Sequence, residues 1–294
     1  MQEASITANG LRFHVASEGE GPLVLFLHGF PERWFSWRHQ LPFVASRGYR
    51  AAAPDMRGYG LTERSPGGYD MANLARDVVG LIHALGYETA TVVGHDWGGA
   101  ITWETVARHP DVIDRFAVLN CPHPAVFQDV LLRSPAQLRK SWYMFFFNLP
   151  WLPERMLSRN GGAAIARSLR GMAVDRSRFT REALEPYARS FATPEDLRGP
   201  LAYYRQALKA LLHPREGMRR RRSYGTIERP GLLLWAEEDR ALGRELVPPH
   251  VDFVRDLHVR RVPHCGHFVQ QEQPEVVNET LGWWLDATRH AVPR

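Results

Sequence analysis

Asp96 lies in a stretch, Gly94-His95-Asp96-Trp97-Gly98-Gly99, that gives a carboxylate the surroundings of a nucleophile. The β-branched run Thr91-Val92-Val93 before it reads as a buried strand. Ile101–Arg108 after it reads as a helix, stopped by His109-Pro110. A strand-to-helix turn this tight strains its central residue, and flanking glycines let the backbones pass closely. Gly-x-Asp-x-Gly is therefore nucleophile-elbow spacing with a carboxylate where a serine is usual. A helix N-terminus favours negative charge. A carboxylate is acceptor-only and attacks carbon without a base to activate it. The same aspartate is also well placed as a plain helix N-cap, and the motif by itself does not choose.

The elements around it do. Leu23–Leu27 is a continuous apolar run fit for a strand buried on both faces, ending in His28-Gly29-Phe30-Pro31. Gly231–Trp235 is another, ending in Ala236-Glu237-Glu238-Asp239. A third segment, His258–Val262, leads to His264-Cys265-Gly266-His267. In an open α/β sheet, ligands bind beyond the carboxyl ends of the strands, where all these polar residues fall. The chain order nucleophile, acid, histidine at 96, 239 and 267 is that of the α/β-hydrolase triad. Glu237 and Glu238 compete with Asp239, and His264 competes with His267. The remaining histidines at these loops, His28, His95 and His123, read as structural, satisfying backbone groups.

Between these runs, strands and helices alternate. Asn9-Gly10 splits two short alternating runs and signals a hairpin. A helix is expected over Ser36–Ser46 and a weak strand over Ala51–Ala53. The clearest helix starts at Asp70, its expected N-cap, carries Met71, Leu74, Val78, Leu81, Ile82 and Leu85 on one face, and stops at Gly86. Phe116–Leu119 is a further buried strand. This alternation predicts an α/β fold with a mostly parallel sheet flanked by helices. From 125 to 225 no buried strand appears. Aromatics crowd at Trp142, Tyr143, Phe145, Phe146, Phe147 and Trp151, followed by helical segments over Glu182–Phe191 and Leu201–Leu212. The expected organisation is a core of residues 1–124 and 226–294, with a helical cap over 125–225 inserted after the sixth core strand. A helix is expected near 247–257, and the last helix carries Val276, Val277, Thr280, Leu281, Trp284 and Leu285 on one face.

The motifs His28-Gly29-Phe30-Pro31-Glu32, Asp55-Met56-Arg57-Gly58-Tyr59-Gly60, Gly94-His95-Asp96-Trp97-Gly98-Gly99, Gly199-Pro200-Leu201-Ala202-Tyr203-Tyr204-Arg205 and His264-Cys265-Gly266-His267 closely resemble those of the epoxide hydrolases of the α/β-hydrolase superfamily. The resemblance runs from about residue 4 to the last helix. It implies Asp96 as nucleophile, His267 as general base and Asp239 as the carboxylate that orients it. It implies Tyr143 and Tyr204 as the pair that polarises the epoxide oxygen, with the backbone N–H groups of Phe30 and Trp97 as the oxyanion hole. Tyr203 is the decoy beside Tyr204: neighbours on a helix point about 100° apart, so only one faces the pocket.

The chemistry is consistent with these residue types. An epoxide oxygen leaves as an alkoxide, a poor leaving group without a proton. A phenol, with a pKa near 10, keeps its proton until that alkoxide forms. Asp96 would form an alkyl ester, which His267-activated water would then hydrolyse to a vicinal diol. The resemblance implies no metal and no organic cofactor. The rival readings are a haloalkane or haloacid dehalogenase using the same aspartate, and a non-catalytic ligand-binding protein of the same fold. A halide needs no proton, so paired tyrosines would be wasted on it. Where dehalogenases carry Asn after His-Gly, or Arg after the nucleophile, this chain has Phe30 and Trp97.

Composition sets the outer bounds. The chain has 294 residues, 44% hydrophobic and 23% charged, with a net charge of +5, which is ordinary for a globular α/β protein. The basic excess is diffuse except at Arg219–Arg222, and no motif context for nucleic-acid binding accompanies that run. Two cysteines, Cys121 and Cys265, make no disulfide framework. No stretch has membrane-spanning length and the N-terminus lacks a signal pattern, so the expected location is cytoplasmic. The expected partners are a small apolar epoxide and water, with no nucleic acid and no membrane, in a monomer or homodimer.

Overall fold

The computed structural model describes residues 1–212, 225–247 and 253–288. Eight strands form one sheet: β1 (Gln2–Ala8), β2 (Leu11–Glu18), β3 (Leu23–Leu27), β4 (Arg50–Pro54), β5 (Ala90–His95), β6 (Ile113–Leu119), β7 (Gly231–Ala236) and β8 (Leu257–Val262). Their order is β1-β2-β4-β3-β5-β6-β7-β8. The β1–β2 hairpin turns at Asn9-Gly10, both at positive φ, and β2 pairs antiparallel with β4. Every pairing from β4 to β8 is parallel. This is the mostly parallel α/β sheet that the alternation predicted.

β3, β5 and β7 are buried at every residue. That is why they read as unbroken apolar runs rather than alternating ones. Each Leu or Val buried there contributes about 1.5–3 kcal/mol relative to exposure. Helices cover both faces: α1 (Gln40–Ser46), α2 (Met71–Ala84), α3 (Trp97–Arg108) and a closing helix, Pro274–Ala287. Asp70 caps α2 by accepting from the Asn73 N–H at 3.0 Å. The helix expected over Ser36–Ser46 is split into a 3-10 turn, Trp34–Trp37, and α1. The weak strand at Ala51–Ala53 extends to the full β4.

Between β6 and β7 the named elements of the described residues are all helices. These are α4 (Pro124–Arg133), α5 (Pro135–Lys140), α6 (Trp142–Phe146), α7 (Leu152–Leu157), α8 (Arg159–Met172), α9 (Arg181–Ser190) and α10 (Pro194–Leu211). α10 begins seven residues before the expected start, at a Thr193–Asp196 capping box, and runs straight through Gly199-Pro200. Gly199 is there for packing: a Cβ at this position would lie 2.7 Å from the Gly58 Cα. The Arg219–Arg222 run and most of the helix expected over 247–257 fall outside the described residues. Residues 253–256 carry a turn and the Val254 bridge to Ile227 rather than helix. Among the described residues no helix is long and apolar enough to cross a membrane.

Candidate active site

The elbow between β5 and α3 is as tight as its glycines suggest. Asp96 has φ 49° and ψ −117°, a region non-glycine residues avoid unless the surroundings hold them there. Added Cβ atoms would lie 2.3 Å from the Gly98 carbonyl oxygen at Gly94, and 2.1 Å from the Leu27 carbonyl oxygen at Gly98. Larger residues would therefore force the turn apart. Asp96 does not cap α3 with its side chain, so the N-cap reading lacks its hydrogen bond. Instead its Oδ1 accepts from the Phe30 N–H at 2.8 Å. The Trp97 N–H, at the first residue of α3, has no carbonyl behind it within the helix.

Asp96 Oδ2 faces His267, whose Nε2 is 3.7 Å away. The other ring nitrogen, Nδ1, is 2.7 Å from Asp239 Oδ2. Asp239 is held from four sides. Its Oδ1 accepts from the Ala241 and Leu242 N–H groups at 2.7 and 2.9 Å, and its Oδ2 accepts from Asn120 Nδ2 at 2.8 Å as well as facing His267. Burial opposes ionisation of Asp239, but His267 and these donors outweigh it and hold its pKa below the usual carboxylate range. Burial likewise opposes a charged His267, yet the carboxylates of Asp239 and Asp96 together push its pKa well above the ordinary imidazole value. The competing residues are occupied elsewhere: Glu238 pairs with His264 at 3.3 Å, Glu237 with Arg261 at 3.4 Å, and the His264 side chain is 87% exposed.

Tyr143 on α6 and Tyr204 on α10 meet edge to face, ring centroids 6.0 Å apart. Both line a cavity of about 750 Å³ together with Asp96 and Trp97. Tyr204 also packs edge to face on Trp97, 5.0 Å between centroids. Burial first and the Asp96 charge second raise the pKa of both phenols, so both remain hydrogen-bond donors at neutral pH. Tyr203 also touches the cavity, but its hydroxyl donates to the Arg57 carbonyl at 2.9 Å.

Two features escaped the sequence reading. Asn120 follows β6 at φ 41° and uses both ends of its amide. Its Oδ1 accepts from the Ala236 N–H at 3.0 Å while its Nδ2 reaches Asp239. A polar residue closing a buried strand was the available signal. The second is a buried Glu32–His95 pair, 2.7 Å apart. Glu32 Oε2 accepts from the Gly29 N–H, and its Oε1 accepts from Gln270 and Gln271 at 2.9 and 2.8 Å. His95 Nε2 donates to the His267 carbonyl at 2.8 Å. His267 is thus anchored through its backbone as well as its ring. His28 serves the backbone as expected: its Nε2 accepts from the Met56 N–H at 3.0 Å, and its Nδ1 donates to the Gly29 carbonyl. Both cysteines are buried thiols. Among the described residues no group of three His, Cys, Asp or Glu side chains is arranged to hold a metal ion.

Comparison with known proteins places this geometry in context. The family model described as the alpha/beta hydrolase fold matches residues 22–274. The chain is 36% identical over 289 residues to human epoxide hydrolase 4, covering 95% of this chain and 77% of that protein. It is 34% identical over 280 residues to the AB hydrolase superfamily protein YfhM of Bacillus subtilis, covering 94% and 95% of the two chains. Among solved structures, a Bacillus megaterium epoxide hydrolase bound to an inhibitor superposes with a TM-score of 0.85 at 27% identity, over 96% of this chain and 100% of that one. The Vigna radiata epoxide hydrolase VrEH1 superposes with a TM-score of 0.83 at 28% identity, over 97% and 98%.

Proposed function

The chain belongs to the α/β-hydrolase fold family and, within it, to the epoxide hydrolases; from that premise we propose that it opens an epoxide to a vicinal diol through a covalent ester on Asp96. The observation that carries this reading is the convergence of one carboxylate and two protonated phenols on a single cavity, with an imidazole 3.7 Å behind the carboxylate.

The two oxygens of Asp96 take different parts. Oδ1 is fixed by the Phe30 N–H, so Oδ2 attacks the ring carbon. The carbon–oxygen bond of the epoxide breaks, and its oxygen takes a proton from Tyr143 or Tyr204 while the other phenol stays hydrogen-bonded to it. Esterification removes the negative charge beside His267. One of the two carboxylates holding the imidazole proton is then gone, so the Nε2 proton passes to the tyrosinate left by the first step and the ring becomes a competent base at the step that needs one. Nε2 takes a proton from water, whose oxygen attacks Cγ of Asp96. The tetrahedral oxyanion forms at Oδ1, against the Phe30 and Trp97 N–H groups. Collapse expels the diol, which takes the proton back from His267, and the second proton of the water passes from the regenerated Asp96 carboxyl to the imidazole, restoring the resting carboxylate and imidazolium. Asp239 holds the ring tautomer throughout. The helices α4 to α10 act as the cap that supplies both tyrosines and shields the ester from bulk water.

His267→Gln tests this reading. Attack at carbon needs no base, so the variant accumulates an adduct of the protein plus one epoxide, read by intact mass spectrometry. An inactive variant that never acquires that mass refutes the two-step scheme.

A further inference from the structure

The cavity is elongated, and its direction is set by one helix. On α3 it touches Asp96, Trp97, Ala100, Glu104 and Arg108. After Trp97 these recur every four residues, so they form a single stripe along the helix. From Asp96 to Arg108 the helix rises about 1.5 Å per residue, which makes the stripe about 18 Å long. α10 contributes Tyr204, Ala207, Leu208 and Leu211, at helical spacing, and α4 contributes Phe127 and Leu131. Spreading about 750 Å³ over that length leaves a cross-section of about 40 Å², wide enough for one extended chain or one aryl ring. Asp96 stands at one end. Arg108, with 39% of its side chain exposed, marks the solvent end, and the two charged members beyond Asp96, Glu104 and Arg108, are ion-paired with each other. Between Asp96 and the charged end, the lining includes two small residues, Ala100 on α3 and Ala207 on α10.

We infer that the groove along α3 selects epoxides placed at or near the end of a long apolar chain, with Ala100 and Ala207 as the residues that admit the chain. The inference rests on the epoxide-hydrolase reading and names its substrate class. An extended chain advances about 1.2 Å per backbone atom, so about fifteen atoms fill the stripe. A side chain the size of phenylalanine at position 100 or 207 would narrow it.

The test is a series of terminal epoxides from 1,2-epoxybutane to 1,2-epoxydodecane, with the matching 1,2-diols titrated by calorimetry. In the wild type kcat/KM rises with chain length, by about 10²-fold or more over the series, because each methylene buried adds binding shared by ground and transition states. Ala100→Phe and Ala207→Phe each cut the ratio of the dodecane to the butane value by at least about tenfold, and diol affinity loses its dependence on length in parallel. A flat wild-type series, or a ratio that both variants leave unchanged, overturns the inference. Failure of the parent reading looks different: no epoxide is turned over while diol affinity still rises with chain length in the wild type and flattens in the variants, which supports the groove and removes the chemistry.

Discussion

His267 Nε2 stands 3.7 Å from Asp96 Oδ2, while its Nδ1 is 2.7 Å from Asp239. The first separation is longer than a hydrogen bond but short enough for the two charges to feel each other strongly. It makes the basicity of the histidine depend on the state of the aspartate. Asp96→Asn removes that charge and lowers the His267 pKa, which NMR titration of the imidazole reads directly. An unchanged pKa contradicts the idea that ester formation switches the ring into a base.

The paired phenols make a separable contribution. Tyr143→Phe and Tyr204→Phe each slow ester formation by about 10–10²-fold, and the double variant loses about 10³-fold or more, in the range of a lost general acid. Ester hydrolysis, followed separately by stopped-flow single turnover, changes less than ester formation. Wild-type alkylation in the double variant shows that another group supplies the proton.

Asn120 acts at one remove. It touches Asp239, not the cavity, and binds both Asp239 and the Ala236 backbone. Asn120→Leu should therefore slow release of the ester by about 10-fold or more, the loss of one hydrogen bond to a charge, and leave its formation nearly intact. Pre-steady-state kinetics separate the two phases. Equal slowing of both assigns Asn120 a merely structural part.

The Asp239–His267 pair also carries a pH signature in stability. Asp239 has a lowered folded pKa, so its contribution is full above the unfolded value of about 3.9 and is lost as pH falls through the folded one. His267 has a raised folded pKa, so its contribution is full below about 6.5 and is lost as pH rises through the folded one. The stability gap between wild type and Asp239→Asn is greatest between about pH 4 and 6.5 and narrows on both sides. Urea unfolding at acid, intermediate and alkaline pH measures it. A gap independent of pH contradicts the assignment.

What the sequence made legible was local or was carried by order along the chain. Gly94 and Gly98 announce the elbow because only glycine tolerates contacts of 2.3 and 2.1 Å there. Asp239 follows the apolar β7 and His267 follows β8, which places both beyond the same end of the sheet as Asp96. Partners joined only by the fold were illegible: Glu32 and His95 are 63 residues apart, and Asn120 and Asp239 are 119 apart. The start of α10 was hidden for a different reason. Gly199-Pro200 reads as a helix boundary, yet tertiary contact with Gly58 demands a glycine inside the helix and the surrounding packing overrides the local signal.

The central claim is that the substrate is bonded to Asp96 before water acts. A single turnover in ¹⁸O water, with enzyme in excess and the protein then digested and mapped by mass spectrometry, tests it most directly. The account predicts heavy oxygen in the Asp96 peptide and a diol carrying the original carboxylate oxygen. Heavy oxygen in the diol with an unlabelled Asp96 would mean that water attacks the epoxide directly, and the account would be wrong.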